Sequence, residues 1–247
     1  MLKVLFMSDS IVIIPTYNEI ENIESIIRKV FSLSKPFHIL VVDDNSPDKT
    51  AETVGKLQHE FQDSLFLEKR DKKSGLGTAY VHGFRWALDR DYKYIFEMDA
   101  DFSHNPDDLE KLYDSCHFGR GDVAIGSRYI TGVNVVNWPL SRVLMSYFAS
   151  VYVQIITGMK IHDATAGFIC YKREVLLAIN IDRVKFIGYA FQIEMKYRAF
   201  AKKFRIIEVP IIFTDRTMGQ SKMSNAIITE AVFGVISLRI RKLFNRL

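Results

Sequence analysis

The chain has 247 residues, 48% of them hydrophobic, which suits one α/β domain or a domain with a lobe and excludes a disordered chain. Its net charge of +4 is mild and no basic block appears, so nucleic acid is not an expected partner, whereas an anionic ligand or a membrane surface is compatible. Two cysteines, Cys116 and Cys170, stand far apart in no metal-ligand spacing, which argues against a disulfide framework or zinc site and for a reducing cytoplasm.

Residues 4–7 are apolar, but Asp9 interrupts them and the run 11–14 leads straight into Pro15. This start reads as a lead-in and first strand, not as a signal peptide. Asn18 stands three residues before Glu21 as in a capping box, and Ile23, Ile26, Ile27, Val30 and Phe31 then form one apolar helical stripe. Further apolar runs of strand length occupy 39–42, 94–98 and 123–125, each followed by a polar turn. Ser46-Pro47 and Asn105-Pro106 read as helix caps with proline at the first helical position. The alternation predicts an α/β fold, a doubly wound and mostly parallel sheet with helices on both faces. Ligands of such sheets sit at the carboxyl ends of the strands, where Asp43, Asp44, Asp99, Asp101 and Arg128 fall, so these groups are expected to converge on one crevice.

Beyond about residue 130 the rhythm loosens. Residues 140–157 carry Leu140, Leu144, Tyr147, Phe148, Val151 and Ile155 at helical spacing, a pattern that suits a core helix and a lipid-facing surface equally. No uninterrupted apolar run approaches the ~20 residues of a membrane span. A helix is expected over 191–202, and a late strand over 208–213 with Pro210 at its start or on an edge. The last segment, 224–247, mixes Val235, Ile236 and Leu238 with Arg239, Arg241, Lys242 and Arg246; it reads as an amphipathic, basic-ended helix resting on anionic lipid or packed on the domain.

The chemistry centres on Asp99-Ala100-Asp101. At i and i+2 on extended backbone both carboxylates leave the same face of a strand end, where they can share Mg²⁺ or Mn²⁺ and clamp a diphosphate; an ordinary surface turn shows the same spacing. Pro15-Thr16-Tyr17-Asn18-Glu19 replaces the glycine-rich turn of a dinucleotide-binding fold, against hydride transfer, and suits a base and ribose instead. Gly75-Leu76-Gly77 marks a helix start and lacks the Gly-Lys-Ser/Thr of a P-loop.

These motifs, with Val41-Val42-Asp43-Asp44, Gly126-Ser127-Arg128-Tyr129, Asn137-Trp138-Pro139, Thr165-Ala166-Gly167-Phe168, Gly188-Tyr189-Ala190-Phe191-Gln192 and the segment from Arg216 to Ser224, resemble the family 2 glycosyltransferases, and within them the dolichol- or polyprenol-phosphate mannose synthases. The resemblance runs from about residue 11 to about residue 225. It implies a GT-A fold in one domain over 1–225, a Rossmann-like nucleotide-sugar half to about residue 130 and an acceptor half after it, with a basic helix over 226–247. It implies inverting transfer of mannose from GDP-mannose to a polyprenyl phosphate. Pro15, Tyr17, Glu19, Val41 and Asp43 are implied to hold the nucleoside, and Asp99, Ala100 and Asp101 to surround the metal and diphosphate. Arg128 is implied to meet the acceptor phosphate, and Arg216 and Lys222 to close over the phosphates.

Ser103 stands at the third metal position, where some members have glutamine, and Ala190 where some have lysine. Arginine suits phosphate by paired hydrogen bonds, so Arg142 joins Arg128 as a candidate, or is a solvated helix position. Glu194 either orients groups in the site or pairs structurally, and His104 is expected to pack behind the acid pair. The chain stops short of the spanning helices of some members, so a peripheral enzyme on the cytoplasmic membrane face, or one using a small membrane-anchoring subunit, is expected. Transfer from UDP-glucose to the same lipid class, or a non-catalytic binding subunit, are the alternatives.

Overall fold

The computed structural model describes residues 8–215 and 225–244. Its first strand, β1 (Ser10–Thr16), sends Ile11 and Ile13 into one core and Val12 and Ile14 into another. Side chains alternate across a strand, so an unbroken apolar run is buried on both faces, as an interior parallel strand requires. The chain continues through α1 (Ile23–Phe31), β2 (His38–Asp43), α2 (Thr50–Gln58), β3 (Leu65–Lys69), α3 (Leu76–Leu88), β4 (Tyr94–Glu97), α4 (Asp108–His117) and β5 (Val123–Ser127). Then come β6 (Val135–Val136), α5 (Leu140–Thr157), β7 (Ile169–Lys172), α6 (Arg173–Ile179), α7 (Tyr189–Ala201), β8 (Ile206–Pro210), β9 (Phe213–Thr214) and α8 (Asn225–Leu243).

The main sheet has the order β3-β2-β1-β4-β7-β5-β8. Only β7 runs antiparallel to its neighbours, and β6 and β9 form a separate parallel pair. Apolar residues of α1, α2 and α4 fill the core on one face, and those of α3, α6 and α7 the core on the other. The doubly wound, mostly parallel α/β sheet expected from the alternation is the one observed.

Three expected caps are turns instead. Asn18 adopts φ 60 and gives its backbone N–H to Ser46 Oγ at 3.0 Å, and α1 starts only at Ile23. Ser46 donates its hydroxyl to Asp43 Oδ1 at 2.6 Å, and α2 starts at Thr50. Asn105 Oδ1 accepts the Asp107 N–H at 3.1 Å, ahead of α4. Short polar side chains bond backbone groups two or three residues away as readily as they cap a helix, so their sequence signal marks a turn without fixing its kind. The late strand also splits: β8 is an edge strand that ends, rather than starts, at Pro210, and β9 follows after a break.

Helix α5 covers 140–157 as expected, yet Leu140, Leu144, Phe148 and Ile155 are exposed while Ser150, Val153 and Thr157 are buried. Although polar residues interrupt its apolar run, among the described residues it is the one helix long and apolar enough to cross a membrane, with mean hydropathy 1.2 over 18 residues. Helix α8 lies against α7 and α5, buries Val235 and Leu238, and leaves Phe233, Ile240 and Leu243 outside. Each of these helices therefore packs on the domain with one side, as one of the two readings expected, and leaves apolar residues exposed on the other.

Two glycines test the packing. A Cβ at Gly83 on α3 would stand 2.6 Å from Ile13 Cγ2, whereas nothing lies within 4 Å of one at Gly55 on α2. Gly83→Ala is expected to cost about 1–3 kcal/mol by overpacking and Gly55→Ala to add about 0.4–1 kcal/mol by restricting the unfolded chain, both read from urea melts at pH 7.

Candidate active site

The chain winds from β1 outward through β2 to β3, then returns to place β4 on the other side of β1. The carboxyl ends of β1 and β4 therefore bound the switch-point crevice where sheets of this kind bind ligands. On its β1–β2 side, Pro15 is half-buried and Tyr17 has Lys73 Nζ 4.2 Å from its ring centroid. Glu19 accepts from Asn22 Nδ2 at 3.3 Å. Asp43 is buried, and its carboxylate accepts from Thr16 Oγ1 at 2.8 Å and from the Ser46 hydroxyl and backbone N–H. Val41, two residues earlier, keeps its side chain wholly in the core. Next to them Arg70, which carried no signal in the sequence, holds the buried Asp44 and donates to Thr78 Oγ1 at 2.8 Å.

β4 ends at Glu97, so Asp99 and Asp101 sit in the loop beyond it and not on extended strand backbone. The loop turns at Phe102, φ 58, and Asp101 Oδ1 accepts the Ser103 N–H at 3.1 Å. Both carboxylates nonetheless line one cavity of about 380 Å³, with Ser103 beside them and Ala100 buried between. Among the described residues no three His, Cys, Asp or Glu side chains form a metal cage. Two carboxylates and a hydroxyl facing open space suit Mg²⁺ or Mn²⁺, which complete their shells with water and phosphate oxygens. His104 packs behind the pair as expected, stacked on Phe168 with centroids 4.9 Å apart. Burial pushes its imidazole down to about 4, so the ring is neutral at pH 7.

Arg128, just past the end of β5, is buried and paired bidentately with Asp163: Nε to Oδ2 at 2.7 Å and Nη2 to Oδ1 at 2.6 Å. Burial alone would raise the Asp163 carboxyl, but the charge and hydrogen bonds of Arg128 outweigh it and hold the group below the usual carboxylate range. Glu208 on β8 steadies the arrangement, accepting the Asp163 N–H at 2.9 Å and the Ser127 hydroxyl at 2.8 Å. Asp163 and Glu208 were not legible as site residues, since a lone acid near a motif has no distinguishing pattern.

Arg142 on α5 is not a solvated position: it pairs with Asp215 at 2.9 Å and lies 4.1 Å from the Trp138 ring, which Arg128 approaches at 5.2 Å. The cavity thus gathers Asp99, Asp101, Arg128 and Arg142, and is also lined by Met145, Tyr152 and Val235. Glu194 belongs elsewhere, accepting from Arg198 and from the backbone of Lys185 and Phe186. Arg216 and Lys222 lie outside the described residues. Beneath the acid pair is a second buried group: Glu97, bonded to Gln192, with Lys196 on the same helix donating to Ala166 O at 2.6 Å. Burial pushes Glu97 up to about 8 and Lys196 down to about 8.

An acid pair at the switch point of a sheet with one reversed strand is the arrangement of a GT-A glycosyltransferase. A family model described as Glycosyl transferase family 2 matches residues 11–179, and the chain belongs to that family. It is 46% identical to a polyprenol monophosphomannose synthase of Mycolicibacterium smegmatis over 96% of this chain and 89% of the relative. It is 42% identical to an undecaprenyl-phosphate mannosyltransferase of Micrococcus luteus, over 90% of each chain. Among solved structures it is similar to glucosyl-3-phosphoglycerate synthase of Mycobacterium tuberculosis bound to UDP, with TM-score 0.65 and 16% identity over 94% of this chain and 79% of that one. The same enzyme with Mn²⁺, UDP and glucosyl-3-phosphoglycerate gives TM-score 0.63 over 96% and 79%. That likeness establishes the GT-A fold.

Asp163→Asn removes the carboxylate charge paired with the buried Arg128 guanidinium and is expected to cost about 3–5 kcal/mol at pH 7. The native contribution of Asp163, its folded pKa being depressed, is complete above the unfolded value of ~3.9 and lost as pH falls through the folded one. Urea melts across pH 2–7 should therefore show a shallower acid limb in the variant than in the wild type.

Proposed function

We propose that the chain transfers mannose from GDP-mannose to a polyprenyl phosphate, with inversion at the anomeric carbon, giving polyprenyl phosphate mannose and GDP. The observation that carries this reading is a single cavity lined at once by two carboxylates, two arginines and apolar residues of α5 and α8. An acceptor with an anionic head and a hydrocarbon tail matches that combination of surfaces. The relatives named for polyprenol and undecaprenyl-phosphate mannosyl transfer support the same acceptor and sugar.

In this proposal Pro15, Tyr17, Glu19 and Asp43 border the nucleoside, with Val41 supporting the strand from within. Asp99 and Asp101, with Ser103 alongside, hold Mg²⁺ or Mn²⁺, which supplies positive charge to the departing diphosphate. Arg128 and Arg142 bind the acceptor phosphate, each already oriented by a carboxylate and by Trp138. Fixing two anions in reacting distance is the main task. A phosphate oxygen attacks the anomeric carbon from the face opposite the diphosphate, the bond from that carbon to the GDP oxygen breaks, and its electron pair leaves with GDP. The acceptor is already anionic at neutral pH, so no base has to remove a proton. Arg216 and Lys222 close over the phosphates. We assign the donor half to residues up to about 130 and the acceptor half to 131–225, followed by the basic helix.

Pure protein given labelled GDP-mannose, Mg²⁺ and a polyprenyl phosphate is expected to yield a labelled lipid, with UDP-glucose as the control donor. Asp101→Ala should remove turnover, and full activity in that variant would take the acid pair out of the mechanism.

The exposed apolar side of α5 and the basic end of α8 support peripheral attachment to the cytoplasmic face of a membrane, directly or beside a small anchoring subunit. Replacing Leu144 and Phe148 together by Glu is expected to abolish cosedimentation with anionic vesicles while GDP binding, measured by calorimetry, stays the same; unchanged cosedimentation would refute α5 as the contact.

A further inference from the structure

Gln192 on α7 is 3% exposed and lines the cavity that holds Asp99 and Asp101. Its Nε2 donates to Glu97 Oε2 in a short hydrogen bond, while its Oε1, also buried, has no partner among the described residues. Glu97 is the last residue of β4, two before Asp99, so the bond ties the carboxamide to the strand end from which the acid-pair loop leaves. A buried acceptor with no donor is costly, and in a cavity it points to a ligand group that supplies one.

The chemistry of the atom selects that group. A carboxamide oxygen accepts and cannot donate. The oxygens of a diphosphate or of an ionised phosphate monoester are acceptors too, so neither phosphate can satisfy it. A sugar hydroxyl can. We propose that Gln192 Oε1, held in place by Glu97, accepts a hydrogen bond from one hydroxyl of the donor hexose and thereby sets which sugar is transferred. This rests on the nucleotide-sugar reading of the site and adds a specificity-determining residue to it.

The test uses the full chain, GDP-mannose, and its series of single deoxy and deoxyfluoro analogues, with wild type compared to Gln192→Met, which keeps length and loses both polar atoms. The expected result is a fall of roughly tenfold in kcat/KM for GDP-mannose, about the worth of one such hydrogen bond, with the Kd for GDP alone unchanged. At one ring position the penalty that wild type imposes on both the deoxy and the fluoro sugar should vanish in the variant, a ratio from which intrinsic reactivity cancels. A penalty pattern identical in the two enzymes would overturn the inference. So would a fluoro sugar accepted as well as the parent, since fluorine can receive a hydrogen bond from Nε2 but cannot give one to Oε1. If Gln192→Met does not fold, Gln192→Asn, shorter by one methylene, provides the same comparison. A wild type that uses UDP-glucose and not GDP-mannose refutes the donor proposed above but not this inference, which is then read with the glucose series.

Discussion

The bidentate pair between Arg128 and Asp163 is the contact through which the acceptor side of the cavity is assembled. Asp163 is fully buried, and its two oxygens take the guanidinium and the backbone N–H of Arg128, while its own N–H goes to Glu208. Glu208 in turn reaches Ser127 and His162, so β5, β8 and the segment before β7 are joined by one chain of charge-assisted hydrogen bonds. A buried guanidinium is tolerable only with such a partner. Because Asp163 occupies one edge of it, the remaining surface of Arg128 has a defined direction, toward Trp138 and the cavity. Arg142 follows the same plan with Asp215. Positive charge is thus presented in a fixed geometry while the local balance stays near neutral, which lets two cations share one aromatic ring.

The other side of the cavity is built differently. Asp99 and Asp101 stand on a loop with a left-handed turn, and their rigidity comes from beneath, where Met98, Ala100 and His104 are buried. The layer below them, Glu97 with Gln192 and Lys196, is polar although wholly buried, in a position where a hydrophobic core would be more stable. Its cost is consistent with use: the Gln192 carboxamide, clamped by Glu97, keeps a buried oxygen with no donor among the described residues in a side chain that lines the cavity.

Much of the fold was legible. Unbroken apolar runs marked β1, β2, β4 and β5, and the stripe of Ile23, Ile26, Ile27 and Val30 marked α1, because burial on both faces and burial on one helical face leave distinct periods. Helix α5 was located to its observed bounds. The beginnings of α1, α2 and α4 were misread, since Asn18 turns in the left-handed region and Ser46 and Asn105 spend their side chains on turns. The acid pair stood out by its spacing and was singled out from an ordinary surface turn by the motifs around it, though its backbone proved to be loop. Asp163, Glu208 and Glu97 were not found: each acts through a partner some 35 to 95 residues away, a separation that leaves no local pattern.

The amino-acid sequence by itself determined the class of sheet, the family, and the motif segments that bring Asp99, Asp101 and Arg128 to one cavity, because periodicity and motif order are local properties of the chain. Only the tertiary structure decided which charges neutralise one another, that Arg142 lines the cavity while Glu194 is buried away from it, and that the apolar side of α5 is left outside. Those outcomes depend on what lies across the cavity or on the opposite side of a helix, and a residue's type cannot state what will be packed against it.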